Sequence, residues 1–479
     1  MDSIQRLADR CLMPGFTGTE APDWVFRRTA GGLGGVCLYA RNVETPEQLA
    51  ALTAALHAER PGLLIAIDEE GGDVTRLEAR TGSSYPGNLA LGAVDDIGLT
   101  RSVARAMGAD LAAAGIDLDL APVADVNSNP INPVIGVRAF GAQPASVARQ
   151  TEAWVAGLQE AGVAACVKHF PGHGATSLDS HLDLPVVDED PHAGALEPFR
   201  AAIAGGVRAV MSAHIVVPSI DDVPATISAK IMTGVLRGEL GFGGLAVSDG
   251  LEMRAIAGGV GIVEGAVRAL AAGCDLLCIG GGLAGEDIAD ELRAAIVAAV
   301  KAGRVSEARL AEAAARVDQL AAWRREQSAA PARNPGIGLT AARRAVQVDG
   351  SVRIDGSPVV VQLISTPSQA AGVVPWGLAD PLTRLGARVT ALELDGPPAN
   401  LEGILADAAA RSLVLVVKNL HRHQWMVGLA DAVLAQRPDA ILVEMGLPAC
   451  RPAAAAAYLA THGASRVCGI AAAEVLLGR

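Results

Sequence analysis

Leu64-Ile65-Ala66-Ile67-Asp68 reads as a strand that is apolar along its whole length and stops at a carboxylate. A strand with one wet face alternates apolar and polar residues, whereas one buried on both faces, as in a helix-flanked parallel sheet, is apolar throughout. The pattern recurs in Val36-Cys37-Leu38-Tyr39, Leu118-Asp119-Leu120-Ala121-Pro122-Val123, Val163-Ala164-Ala165-Cys166-Val167, Ala209-Val210-Met211, Leu245-Ala246-Val247 and Leu276-Leu277-Cys278-Ile279. Helix-like segments such as Ala145–Ala161 and Ala193–Ile203 separate these runs. Repeated βα units over this length imply an α/β fold, a (β/α)8 TIM-like barrel, with an open doubly wound sheet as the competing topology.

Polar residues stand where a barrel would need them. Asp68, Asp125, Lys168-His169, His214 and Asp249 each follow a different apolar run. In such barrels the carboxyl ends of the strands carry the chemistry. Five ionisable strand ends are unusual for a purely structural chain.

The bulk composition narrows the function. With 479 residues the chain exceeds what one hydrophobic core usually supports, so two domains are expected. A net charge of −13 argues against binding nucleic acid or an anionic membrane surface. No apolar run reaches the roughly 18–20 residues needed to span a bilayer. The longest candidates, Ala294–Val300 and Ala453–Ala460, read as Ala-rich helix faces. Met1–Arg6 lacks a basic segment followed by an apolar core, so no secretory signal is expected. Seven scattered cysteines do not make a disulfide framework and fit a reducing cytoplasm. Cys274 and Cys278 read as buried strand residues rather than metal ligands.

A helix is expected over Ser306–Glu326, then a linker of Ser, Ala, Pro and Gly. Beyond it, Val359–Ile364, Val389–Leu392, Leu413–Val417 and Ala440–Val443 read as strands of a smaller open α/β sandwich. The expected organisation is therefore a catalytic barrel over 1–326, a linker over 327–339 and a second α/β domain over 340–479.

Each candidate motif has a bland counterpart. Asp249 leaves a buried strand in Ser248-Asp249-Gly250 and suits a nucleophile, but Asp is also favoured as a helix N-cap. In Asp179-Ser180-His181 a carboxylate on Nδ1–H would fix the imidazole tautomer and make the ring a usable acid near neutral pH; two unrelated surface residues are the alternative. His169, His173 and His181 suggest a metal cluster, yet Pro171, Gly172 and Gly174 disfavour the helix that would pair them. Lys168 suits sugar hydroxyls better than a Schiff base. Asp68-Glu69-Glu70-Gly71-Gly72-Asp73 reads either as a solvated turn or as a pocket floor in which Asp68 and Arg76 grip hydroxyls. Arg138 is similarly open. Ile279–Gly285 lacks the ending of a phosphate loop and reads as a strand-to-helix connection.

Taken together, Ile67–Gly72 through Arg76-Leu77, Ala121-Pro122-Val123, Ile135–Gly141, Lys168–His181 and Ser248-Asp249 resemble glycoside hydrolase family 3, in its β-N-acetylglucosaminidase branch acting on cell-wall fragments. The resemblance covers residues 10–280 and is loose beyond them. It implies Asp249 as nucleophile, His181 oriented by Asp179 as general acid and base, and Asp68, Arg76, Arg138, Lys168 and His169 as contacts to the terminal sugar. Ala175 departs from the Asp or Asn common at that position, which bears on loop geometry. No metal and no cofactor are expected, and the expected partner is a small-molecule glycoside.

The implied reaction is retaining hydrolysis in two steps, with an imidazole replacing one of the usual two carboxyls. A neutral base repels an anionic acceptor less than a carboxylate does, so phosphate competes with water as a reading. Five Trp and three Tyr make aromatic platforms for long glycans scarce, which suggests exo action on imported sugar or muropeptide fragments in the cytoplasm. The alternatives are a β-glucosidase or phosphorylase on the same scaffold, a metal-dependent hydrolase, and a non-catalytic sugar-binding protein.

Overall fold

The computed structural model describes residues 3–283, 285–327 and 333–479. Met1 and Asp2, Ala284 of the glycine loop and residues 328–332 of the expected linker lie outside them. The chain divides into two compact units, one of residues 1–69, 100–135 and 142–334, the other of 70–99, 136–141 and 335–479.

The first unit is built on eight short parallel strands: β1 (Leu12–Pro14), β2 (Gly35–Leu38), β3 (Leu64–Ile67), β4 (Leu118–Asp119), β5 (Ala164–Phe170), β6 (Ala209–Ser212), β7 (Leu245–Val247) and β8 (Leu277–Ile279). Strands β2 to β7 form one sheet in chain order, and β1 pairs with β8. A parallel bridge from Val247 to Leu276 joins β7 to the β8 end. The sheet curls into the TIM-like barrel that the sequence implies.

Alternation explains why these strands look uniformly apolar. Leu64 and Ala66, Ala164 and Cys166, Ala209 and Met211, and Leu245 and Val247 fill one shared interior. Their neighbours Ile65, Ile67, Ala165, Val167, Val210 and Ala246 are equally buried, as strands covered by helices require. Val317, Leu320 and Ala321 of helix Glu307–Glu326 join the same interior. That helix starts where expected, with the Ser306 side chain accepting the Arg309 amide.

Three strand assignments differ from expectation. β1 is only three residues long and includes Pro14, so no apolar run announced it. β4 leaves the regular ladder after Asp119, since Pro122 cannot donate to a neighbour; Val123 rejoins by a bridge to Lys168. β5 extends to Phe170, which places Lys168 and His169 inside the strand rather than after it.

The second unit holds a six-stranded sheet of β9 (Gln347–Asp349), β10 (Val359–Leu363), β11 (Thr390–Leu394), β12 (Leu413–Val417), β13 (Ile441–Glu444) and β14 (Ala457–Ala460), in the order β11-β10-β12-β13-β14-β9. All pairs are parallel except β14–β9. Val360, Val414, Val416, Ile441 and Val443 serve one apolar core, and Val359, Val361, Leu413, Leu415, Val417 and Leu442 the opposite one. This is an α/β sandwich with both sheet faces covered. Ala457–Ala460, read from its alanines as helix, is a strand: parallel pairing with Ile441–Glu444 overrides the propensity.

The units do not follow one cut near the linker. Residues 70–99 belong with the second unit, where Arg466 donates to Glu78 Oε1 at 2.7 Å and Ser84 Oγ at 2.6 Å. A Cβ on Gly338 would lie 1.9 Å from the Ser84 carbonyl oxygen, so helix Ile337–Ala345, which starts inside the expected linker, packs directly on that segment. No described helix is long and apolar enough to cross a membrane.

Candidate active site

The ionisable strand ends of the first unit converge. From β3, Asp68 Oδ1 lies 2.6 Å from Lys168 Nζ of β5, and the lysine is almost fully buried. Burying an ammonium is tolerable only beside a counter-charge. The chain leaves Asp68 in a set direction because the Glu69 amide donates to Asp119 Oδ1 at 2.9 Å.

His169, the next residue of β5, is held by Asp125. Its Nδ1 lies 2.8 Å from Asp125 Oδ2, and its amide donates to Oδ1. The His173 amide donates to that same Oδ1 at 2.6 Å. Burial would raise the Asp125 carboxyl, but the imidazoles of His169 and His173 outweigh it and hold it below its ordinary value. Sequence reading placed Asp125 at a strand end without giving it a task; its task here is to orient His169.

The loop after β5 is packed rather than loose. Asn132 Nδ2 donates to the carbonyls of His173 (2.9 Å) and Gly174 (3.1 Å) and to Thr176 Oγ1 (3.2 Å). A Cβ on Gly174 would stand 1.8 Å from the Val126 carbonyl oxygen, so only glycine fits. His173 is fully engaged, Nδ1 with Thr176 Oγ1 at 2.8 Å and Nε2 with Ser180 Oγ at 3.3 Å, and burial pushes its ring down to about 4. It is a structural histidine of the loop.

That loop delivers the Asp179–His181 pair. His181 Nδ1 lies 2.7 Å from Asp179 Oδ1, which also accepts the His181 amide at 2.9 Å. Burial works against the Asp179 charge, yet the bonds to His181 prevail and its carboxyl sits below the ordinary range. Because a carboxylate only accepts, Nδ1 carries the hydrogen and the tautomer of the neutral ring is fixed. The Ala255 amide donates to the Ser180 carbonyl at 3.3 Å, tying the loop to the segment after β7.

Asp249 follows β7 and accepts the adjacent Gly250 amide at 2.8 Å. It caps no helix: the following one, Arg254–Ala257, takes Met253 at that position. Burial raises the Asp249 carboxyl, but His214, His169 and His181, together with the Gly250 amide, bring it down to about 2. Those histidines come from β5, the β5 loop and β6, so their shared influence on Asp249 is what convergence on one point looks like. The resulting site has an ionised nucleophile candidate, an imidazole whose Nδ1 is held by a carboxylate, and a lysine–carboxylate pair suited to hydroxyls.

Arg76 and Arg138 lie in the second unit. Arg76 donates to the Ala370 carbonyl at 2.8 Å. Arg138 grips Glu70 with both arms, Nε to Oε2 at 2.9 Å and Nη2 to Oε1 at 2.7 Å. His214, a strand end without a task in the sequence, acts on the Asp249 charge, and Glu252 rests against the Asp249–Gly250 turn. Glu252 left no signal.

Among the described residues no group of three His, Cys, Asp or Glu side chains could hold a metal ion.

Comparison with known proteins fits this geometry. A family model described as "Glycosyl hydrolase family 3 N terminal domain" matches residues 20–320. A β-hexosaminidase of Alkalilimnicola ehrlichii is 44% identical over 259 residues, 52% of this chain and 73% of that protein. One of Nitrosomonas eutropha is 41% identical over 271 residues, 54% of this chain and 76% of its own length. A glycoside hydrolase family 3 β-N-acetylglucosaminidase from Paenibacillus sp. str. FPU-7 superposes with a TM-score of 0.90 at 34% identity, covering 100% of this chain and 97% of that one. A β-glucoside phosphorylase, BglX, shares the fold at 19% identity and a TM-score of 0.79.

Proposed function

We propose, starting from the fact that this chain belongs to glycosyl hydrolase family 3 and is a glycoside hydrolase, that it is a retaining exo-β-N-acetylglucosaminidase. The observation that carries the reading is the 2.7 Å contact of His181 Nδ1 with Asp179, made by an imidazole that acts on the Asp249 charge. In the first step Asp249 attacks the anomeric carbon while the bond to the leaving oxygen breaks and His181 Nε2–H protonates that oxygen. In the second, neutral His181 takes a proton from water, and the water oxygen displaces Asp249 from carbon. Asp179 stabilises the imidazolium in the first step and keeps Nε2 aimed in both. Asp68, Lys168 and His169 bind the hydroxyls of the terminal sugar. Arg76 and Arg138 stay in the proposal as sugar contacts on the sequence resemblance alone.

The N-acetylglucosamine preference is supported by the relatives, named β-hexosaminidases, and by the likeness to a β-N-acetylglucosaminidase. Muropeptide fragments as substrate and a cytoplasmic setting complete the proposal; seven free cysteines support the latter.

The deciding experiment is steady-state hydrolysis of p-nitrophenyl β-N-acetylglucosaminide against the β-glucoside, each with and without phosphate. Preference for the glucoside would overturn the sugar assignment, and a sugar phosphate as main product would make the enzyme a phosphorylase. Trapping with a fluorinated glycoside and peptide mapping should place the label on the peptide carrying Asp249.

A further inference from the structure

Glu252 stands three residues after Asp249, and its carboxylate is held on one side only. Oε1 accepts the amides of Gly280, at 3.1 Å, and Gly281, just beyond β8. Oε2 is buried and, among the described residues, has no hydrogen-bond partner. A buried carboxylate oxygen without a donor is costly and is not retained without cause in a packed fold.

The surroundings of Glu252 say where that oxygen lies. A Cβ added to Gly250 would stand 3.3 Å from Oε2, so the carboxylate rests against the Asp249–Gly250 turn. Its charge is felt by Tyr39 after β2, by His214 after β6 and by Cys278 in β8. A side chain that starts after β7 and binds the amides just beyond β8 lies at the carboxyl end of the barrel strands, beside the Asp249–Gly250 turn. Tyr39 and Cys278 both pack on the barrel interior. Asp68, already assigned to the sugar, acts on the same tyrosine and the same cysteine.

We infer that Glu252 is a further substrate-binding residue, its Oε2 accepting a hydrogen bond from a hydroxyl or amide N–H of the bound sugar. This rests on the glycosidase reading above. An acceptor with no donor of its own discriminates: it rewards a sugar that carries a donor at the matching carbon and penalises one that lacks it. The acetamido N–H and the ring hydroxyls are the donors such a sugar offers.

The test pairs Glu252→Gln with substrate analogues. Glutamine keeps one oxygen for the Gly280 and Gly281 amides and turns the other position into a donor, facing the sugar's donor. Wild type is first assayed on p-nitrophenyl β-glycosides of N-acetylglucosamine, glucose and their singly deoxygenated or deaminated forms. The best-turned-over sugar becomes the reference, so an incorrect sugar assignment shows itself in the wild type alone. Against that reference Glu252→Gln should lose about 10- to 100-fold in kcat/KM, with an unchanged melting temperature. The penalty should vanish on the one analogue that lacks the partner group. A loss equal on every analogue would make Glu252 a purely structural clamp of the glycine loop and overturn the inference, as would kcat/KM within twofold of wild type throughout. Should wild type neither bind nor turn over any of these sugars, both readings fall.

Discussion

His214 Nε2 lies 2.9 Å from the carbonyl oxygen of Gly250, the residue directly after Asp249. A carbonyl only accepts, so Nε2 carries the hydrogen, and burial lowers the affinity of the ring for a second proton. The other nitrogen is fixed as well, 2.7 Å from Thr226 Oγ1, which in turn meets Ser212 Oγ at 2.8 Å. The imidazole thus anchors the turn that carries Asp249, the proposed nucleophile, to the end of β6. Replacing His214 with Ala should lower kcat by roughly tenfold or more with a much smaller change in KM, because a displaced nucleophile loses reactivity before it loses sugar contacts. Stopped-flow release of the leaving group, which isolates the first step, checks this; an effect confined to KM would refute it.

Asp249→Asn should reduce kcat on the order of a thousandfold or more while leaving inhibitor binding largely intact. The isosteric amide keeps its place but cannot form the glycosyl ester. Calorimetric titration with a sugar inhibitor, alongside turnover, separates the two quantities. Unimpaired turnover would remove Asp249 as nucleophile.

His181→Ala and Asp179→Ala should each slow turnover by roughly 10²- to 10⁴-fold on a substrate with a poor leaving group. On a p-nitrophenyl glycoside the first step needs little protonation, so there the loss should move to the second step and appear as a burst. Asp179→Ala should be the milder of the two, since it leaves the imidazole in place. Equal losses on both substrate types would argue against the acid role.

Because the Asp249 carboxyl is held down to about 2, it stays ionised through the working range and should not produce the acid limb of the kcat/KM profile. Stability should instead respond to His173. Its folded value is about 4 against an ordinary 6.5, so between those values the unfolded chain binds a proton that the folded one refuses. Stability therefore rises with pH from about 4 to 6.5, by roughly 3 kcal/mol for this group alone, and is flat outside that window. Melting curves should show this slope in the wild type and a shallower one in His173→Asn.

Exhaustive dialysis against a chelator should leave kcat/KM unchanged, because every step of the proposed reaction is carried by carboxylate and imidazole. Activity lost on chelation and restored by one divalent ion would favour the metal-dependent alternative.

Much of this molecule was legible from local pattern. Leu64–Asp68 and its repeats announced buried parallel strands, because a strand covered on both faces has no polar face to show. The barrel and a second α/β unit followed from that pattern. Family resemblance singled out Asp249, Asp179, His181, Asp68, Lys168 and His169; four of those six follow a strand or lie in the loop after β5, and Lys168 and His169 lie within β5. What local pattern misread was set by pairing at a distance. Ala457–Ala460 carries helix-forming alanines but is a strand because Ile441–Glu444 lies beside it, and Pro14 sits in a three-residue strand that pairs with β8.

Burial and charge at the site belonged wholly to the tertiary structure. Nothing around Asp249 in sequence distinguishes a helix cap from a nucleophile; three histidines brought from β5, its loop and β6 push its carboxyl down to about 2. Asp125 and His214 matter through partners 44 and 36 residues away, and Glu252 through an oxygen that has no hydrogen-bond partner among the described residues. Apolar periodicity is a property of neighbours in the chain and so is written along it. Electrostatics and hydrogen-bond satisfaction depend on distance through space, which only the folded chain decides.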